Sequence, residues 1–221
     1  MFGGSTATCQ HEGKREMSDK AVVGIDIGSR TGKGVLLQGD TIYTGIIPTG
    51  LHMQPTADEL LRQLLEKSGL DRSQVEYIVG TGYGRISLDF EKIPRQIVTE
   101  ISCHAMGAHY LHPKTRTLID IGGQDSKAIK VDPASGKVLD FVINDKCAAG
   151  TGKFLEMVAT SLELKLDDLG EVSLESHRPS QITSQCIVFA ESEIISLKAK
   201  GDPREDIAAG VHGAVARRVS N

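Results

Sequence analysis

Two stretches of this chain carry the same residues at the same spacing. Asp26-Ile27-Gly28, four residues and Lys33 are matched by Asp120-Ile121-Gly122, four residues and Lys127. Each copy closes an apolar run, Ala21–Ile27 or Thr117–Ile121, and precedes a second extended segment. The pattern predicts an Asp at a strand end, a tight glycine turn and a returning strand, twice over. Such a duplication constrains the chain to two similar lobes, each offering a hairpin to one cleft. Glycine turns expose backbone N–H groups as a nest for anions, so phosphate is the ligand expected there. An Asp at each strand end can hold Mg²⁺, usually through water, and each Lys can reach phosphate oxygens. One hairpin alone reads as an ordinary surface turn with exposed charges; the matched pair favours phosphate.

Other phosphate motifs do not fit. A P-loop needs G-x-x-x-x-G-K-[ST], whereas Gly28 and Gly32 are one residue too close and Gly34 follows the lysine. Around Gly150-Thr151-Gly152-Lys153, position 147 is Cys and Phe154 follows the lysine. Gly80-Thr81-Gly82-Tyr83-Gly84 lacks the strand–glycine–helix setting of a dinucleotide fingerprint.

Periodicity predicts further strands at Gly34–Leu37, Thr41–Ile47, Val75–Val79, Ala128–Val131 and Val138–Ile143, with turns at Gly28–Gly32 and Gly80–Gly84. Helices are expected over Thr56–Ser68, capped by Thr56, and over Glu100–Leu111, capped by Thr99. The last third reads as helical: Gly150–Leu162, Ile187–Lys200 and Asp206–Val219. This divides the chain into a disordered polar tail (1–20, with a second possible start at Met17), a first lobe (21–115) and a second lobe (116–221). Glu100, in the first turn of its helix, is a cap and a candidate facing the cleft. His104, His109 and His112 lack a carboxylate partner in the sequence pattern and read as solvated or capping.

At 221 residues, with 39% hydrophobic and 24% charged side chains, the composition is that of a globular chain, not a disordered one. A net charge of -4 gives no electrostatic case for nucleic acid or an anionic membrane. No apolar run approaches the ~18–20 residues that span a bilayer, and no signal-peptide core follows Met1, so a cytoplasmic protein is expected. The cysteines, Cys9, Cys103, Cys147 and Cys186, form no C-x-x-C pair. Cys103 lies inside a helix and reads as a buried structural thiol. Cys147 and Cys186 each stand just before a helix, where the dipole and free N–H groups stabilise a thiolate.

The duplicated hairpins resemble the acetate and sugar kinase/Hsp70/actin superfamily. From residue 80 the likeness narrows. Gly80-Thr81-Gly82-Tyr83-Gly84-Arg85, Thr99-Glu100-Ile101, Ile119 to Lys127, Asn144-Asp145-Lys146-Cys147-Ala148-Ala149-Gly150-Thr151-Gly152, Ser184-Gln185-Cys186 and Phe189-Ala190-Glu191-Ser192-Glu193 resemble the ATP-dependent activators of 2-hydroxyacyl-CoA dehydratases and the related ATPase subunits of benzoyl-CoA reductases. The resemblance implies an α/β fold: a two-lobed actin-like ATPase with duplicated βββαβα, ribonuclease H-like lobes. The second lobe looks incomplete, because the adenosine-binding segment expected after Val219 does not follow.

The resemblance also implies the site and its chemistry. ATP or ADP with Mg²⁺ lies between the lobes, served by Asp26, Asp120 and Gln124 as catalytic residues. Gly28, Ser29, Thr31, Lys33, Gly122, Gly123, Gln124, Ser126 and Lys127 bind the phosphates. Cys147 and Cys186 are the ligands of a [4Fe–4S] cluster; a cubane needs four thiolates, so a homodimer would share one cluster on its axis. Ferredoxin or flavodoxin would supply electrons one at a time to a dehydratase or reductase component. Two other classes are compatible with the hairpins: a small-molecule kinase of the same superfamily, and a non-redox ATP-binding regulatory module. Neither explains cysteines at two helix starts.

Overall fold

The computed structural model describes residues 20–145, 148, 150–183 and 186–220. Residues 1–19 of the expected tail, including Cys9, and Cys147 lie outside the described residues. The first sheet is built from β1 (Ala21–Ile27), β2 (Thr31–Gln38), β3 (Thr41–Pro48), β4 (Val75–Thr81) and β5 (Arg95–Ile97), in the order β3-β2-β1-β4-β5. β1, β2 and β3 form an antiparallel meander, whereas β4 and β5 add to it in parallel. A parallel neighbour requires a crossover, and α1 (Met53–Ser68) supplies the one from β3 to β4.

The reason α1 lies where it does is written in β2. A Cβ on Gly32 would stand 2.8 Å from Thr56 Cγ2, and one on Gly34 would stand 2.9 Å from Leu64 Cδ1. These glycines let Leu60, Leu61 and Leu64 press onto the sheet, where they join Val23, Ile25, Ile27, Leu36, Ile78 and Phe90 in the first core. The helix begins one turn earlier than the sequence predicts. Pro55 sits in its first turn, where a missing N–H costs nothing. Thr56 is therefore inside the helix, and its Oγ1 accepts from the Gly50 N–H at 3.2 Å.

The second sheet is an antiparallel meander of β6 (Thr117–Ile121), β7 (Ser126–Val131) and β8 (Val138–Asn144). One face takes α2 (Glu100–Leu111), through Ala105, Ile129 and Val131 with Ile101, Leu118 and Val138 around them. The other face carries Ile119 and Val142, 54% and 71% exposed. Beyond β8 come α3 (Gly152–Ser161), α4 (Leu169–Leu174), α5 (Ile187–Lys200) and α6 (Arg204–Ser220). Their core gathers Phe154, Val158, Leu169, Ile194, Ile207 and Val211.

Most other differences from the sequence reading have one cause. Strands run closer to their turns than the apolar residues alone indicate, because ladder hydrogen bonds continue through polar and glycine positions. Thus β2 starts at Thr31, β4 includes Gly80 and Thr81, and β7 starts at Ser126. α3 is shorter than Gly150–Leu162, with Thr151 as N-cap, and α6 begins at Arg204 rather than Asp206. No helix among the described residues is long and apolar enough to cross a membrane.

Candidate functional site

The repeat spacing has a structural meaning. In the antiparallel registers Asp26 faces Lys33 across β1 and β2, and Asp120 faces Lys127 across β6 and β7. Each lysine bonds its own aspartate, Lys33 Nζ to Asp26 Oδ2 at 3.4 Å and Lys127 Nζ to Asp120 Oδ2 at 3.3 Å. The two turns face one another over a cleft of about 750 Å³. Asp26, Gly28, Ser29, Thr31, Lys33, Asp120, Gly122, Gly123 and Gln124 line it.

Both turns are held from behind by their carbonyls. Thr49 donates through Oγ1 to the Gly28 carbonyl at 2.8 Å and through its N–H to that of Arg30 at 3.0 Å. In the second turn the Gly122 carbonyl accepts from the Gly152 N–H at 2.8 Å, and that of Gly123 from the Lys153 N–H at 3.0 Å. The first N–H groups of α3 are thus committed to the glycine turn. The sequence reading, which left them free for a thiolate, is corrected on this point.

The hairpins differ in how they use their lysines. Lys33 is 50% exposed at the cleft. Lys127 is 3% exposed, and its ammonium meets Asp125 at 2.8 Å, Glu100 at 3.1 Å and Asp120 at 3.3 Å. Burial pulls the Lys127 pKa down, but hydrogen bonds to Asp125 and Glu100 outweigh it and hold the pKa above the ordinary lysine value. Neither Lys127 nor the buried Ser126 reaches the cleft lining. Asp26 keeps one oxygen, Oδ1, buried without a hydrogen-bond partner among the described residues. An unpaired buried acceptor is costly unless a ligand or cation completes it. That oxygen lies against Gly82, while Asp26 as a residue lines the cleft, where a carboxylate suits a hydrated Mg²⁺ accompanying a polyphosphate.

Several cleft residues were not legible as such. His104, set aside in the sequence reading for want of a carboxylate, finds one in three dimensions: its Nδ1 lies 3.0 Å from Asp120 Oδ2. That hydrogen bond raises the His104 pKa against the opposing effect of burial, and it lowers the pKa of Asp120. Glu100, expected at the cleft from its place in the first turn of α2, does line it, one turn before His104, and accepts from Lys127. The Glu100-x-x-x-His104 spacing, which puts both on one helix face, was the available signal. Tyr83, Arg30, Asp125, Asp145 and Glu156 also line the cleft. Arg30 Nη2 bonds Glu156 Oε2 at 2.8 Å, joining the first turn to α3 across the cleft.

Cys186 is exposed and in no disulfide, and as the N-cap of α5 it makes no side-chain capping hydrogen bond. The segment before it is anchored to that helix by Thr183, whose N–H and Oγ1 donate to Glu193. Cys103 is half-buried in α2, and burial pushes its thiol up in pKa.

Comparison with known proteins gives this geometry its context. The chain is 44% identical over 206 residues to the 2-hydroxyisocaproyl-CoA dehydratase activator of Clostridioides difficile, covering 90% of this chain and 74% of that one. A solved structure of that activator with bound ADPNP has a TM-score of 0.83 at 43% identity, again covering 90% and 74%. The (R)-2-hydroxyglutaryl-CoA dehydratase component A of Acidaminococcus fermentans has a TM-score of 0.84 at 41% identity, covering 91% and 76%. A benzoyl-CoA reductase subunit of Thauera aromatica is 34% identical over 203 residues, covering 89% and 70%. The actin-like α/β fold follows from these structures, and the BadF/BadG/BcrA/BcrD ATPase family model matches residues 23–221. The chain belongs to the BadF/BadG/BcrA/BcrD ATPase family.

Proposed function

We propose that this chain is an ATP-hydrolysing iron–sulfur electron-transfer activator. It would inject low-potential electrons into a 2-hydroxyacyl-CoA dehydratase or a benzoyl-CoA reductase-type partner. The observation that carries the proposal is the pair of hydrogen bonds from Gly152 and Lys153 to the Gly122 and Gly123 carbonyls. A nucleotide phosphate received by that turn acts on the helix that follows Cys147, so hydrolysis and a cysteine-bound group share one mechanical unit.

In this reading Gly28, Ser29, Thr31, Lys33, Gly122, Gly123 and Gln124 hold the polyphosphate. Asp26 and Asp120 hold Mg²⁺ through water, and Gln124, exposed at the cleft, orients the attacking water. Lys127 fixes the carboxylates from behind, a change from the phosphate-binding role expected from sequence. Cys186 suits a cluster ligand, because it is an exposed helix N-cap whose thiol makes no capping hydrogen bond. With Cys147 it offers two thiolates per chain, so two chains related by a two-fold axis complete a [4Fe–4S] site. When bound, the cluster supplies one-electron chemistry, receiving electrons from ferredoxin or flavodoxin and passing them to the acyl-CoA component.

The test is anaerobic purification with iron and sulfide analysis. The expected result is a brown homodimer holding about four irons, the number set by one cubane. Cys186→Ser loses the colour and Cys103→Ser keeps it. Full iron in Cys186→Ser overturns the ligand assignment.

A further inference from the structure

Glu100, His104 and Asp120 bring one ligand atom each within 4.8 Å of one another, a set that on its own suggests a metal site. The Lys127 ammonium, 3.1 Å from Glu100 and 3.3 Å from Asp120, already takes the place a cation would occupy. The cluster is therefore a device built around Asp120 rather than a second metal centre.

The detail that matters is which oxygen is used. His104 Nδ1 and Lys127 Nζ both reach Asp120 Oδ2, from α2 on one side and β7 on the other. A carboxylate turns easily about its last torsion, and its two oxygens are otherwise interchangeable. Two donors fixed on different elements remove that freedom and leave Oδ1 for the cleft, which Asp120 lines. Lys127 cannot do this alone, since its ammonium is shared with Glu100 and Asp125. The first hairpin has Lys33 on Asp26 Oδ2, and no histidine on that carboxylate among the described residues.

We infer that His104 is a positioning residue for the nucleotide–metal site: its Nδ1–H holds Asp120 Oδ2 and so presents Oδ1 to the hydrated Mg²⁺ of the bound nucleotide. The inference rests on the proposed ATPase reading of the cleft. Partners that orient a metal-facing group from behind are worth roughly 10–100-fold in metal affinity or activity.

Two amide substitutions separate the possibilities. Asparagine places its side-chain N–H close to the Nδ1 position of histidine, whereas glutamine reaches the Nε2 position. The Mg²⁺ concentration for half-maximal ATP hydrolysis is measured for the wild type, His104→Asn, His104→Gln and His104→Ala. Mn²⁺ with ADP, read by electron paramagnetic resonance, gives metal affinity without turnover. The Gln and Ala variants should need roughly 10–100-fold more Mg²⁺ and bind Mn²⁺–ADP correspondingly more weakly, with Asn restoring both to within about threefold. A merely structural histidine would shift the melting temperature and leave the metal response unchanged in all three. A wild-type metal response in His104→Gln overturns the inference alone. Absence of Mg²⁺-dependent hydrolysis in the wild type overturns the ATPase reading, and this inference with it.

Discussion

Gly82→Ala is the substitution whose cost the structure fixes best. Gly82 leaves β4 with φ at +87°, a conformation in which a non-glycine residue loses about 1–2 kcal/mol. A Cβ there would overlap Asp26 Oδ1 and stand 2.5 Å from the Ile27 carbonyl oxygen. That carbonyl cannot swing aside, because it accepts the Gly84 N–H at 2.9 Å. Relieving such an overlap by backbone shift costs about 1–3 kcal/mol, so the total is about 2–5 kcal/mol. For a chain of this size the melting temperature should fall by about 4–20 °C, read by circular dichroism. Gly39→Ala is the control: φ is +58° there, but nothing lies within 4 Å of the added Cβ. It should lose only the backbone part, about 1–2 kcal/mol. Because the overlap displaces Asp26, ADP with Mg²⁺ should also protect Gly82→Ala against unfolding less than it protects the control. Equal melting temperatures for the two variants would refute the steric argument. Equal protection by ADP would refute the link to Asp26.

Lys127→Met leaves Asp120, Asp125 and Glu100 without their shared cation. Breaking a buried pair in this way costs about 3–5 kcal/mol, so denaturant unfolding should show a large drop at pH 7 that shrinks as the carboxylates are protonated in acid. His212 in α6 has its pKa lowered by burial. The unfolded chain therefore binds a proton there before the folded one does, and stability falls as pH drops through about 6.5, the unfolded imidazole value. His212→Gln should flatten that part of the stability–pH profile, and an unchanged slope would contradict the burial effect.

The repeat was legible because a seven-residue offset makes each Asp and Lys cross-strand partners, a relation set locally by one tight turn. The long strands and helices were legible for the same reason, since each carries its own periodicity. β5 was not: all three of its residues, Arg95–Ile97, are exposed, and only its pairing with β4 makes it a strand. The six-residue α4 buries Leu169 alone and has no amphipathic period to read. His104 is the instructive case. Its sequence neighbours show no acid partner beyond Glu100, and the aspartate it binds arrives from β6, brought there by α2 packing on the second sheet. Two hairpins with like spacing also gave no hint that one lysine would be exposed and the other enclosed by three carboxylates. That difference depends on Glu100 and Asp125.

The hydrogen bonds between the second turn and α3 also bear on how a signal leaves the cleft. Peptide groups are flat, and no cis bond occurs among the described residues. The Gly122 and Gly123 carbonyls point at α3, so the N–H groups of Gly123 and Gln124 in the same two planes point the opposite way. An anion accepted by those N–H groups polarises both peptides, and each polarised carbonyl binds its α3 N–H more strongly. The peptide ladder of α3, ten residues long by itself, is thereby prolonged through the turn to the anion. In the proposed reading, loss of a phosphate from that turn would weaken these two hydrogen bonds and so reach the first turn of α3.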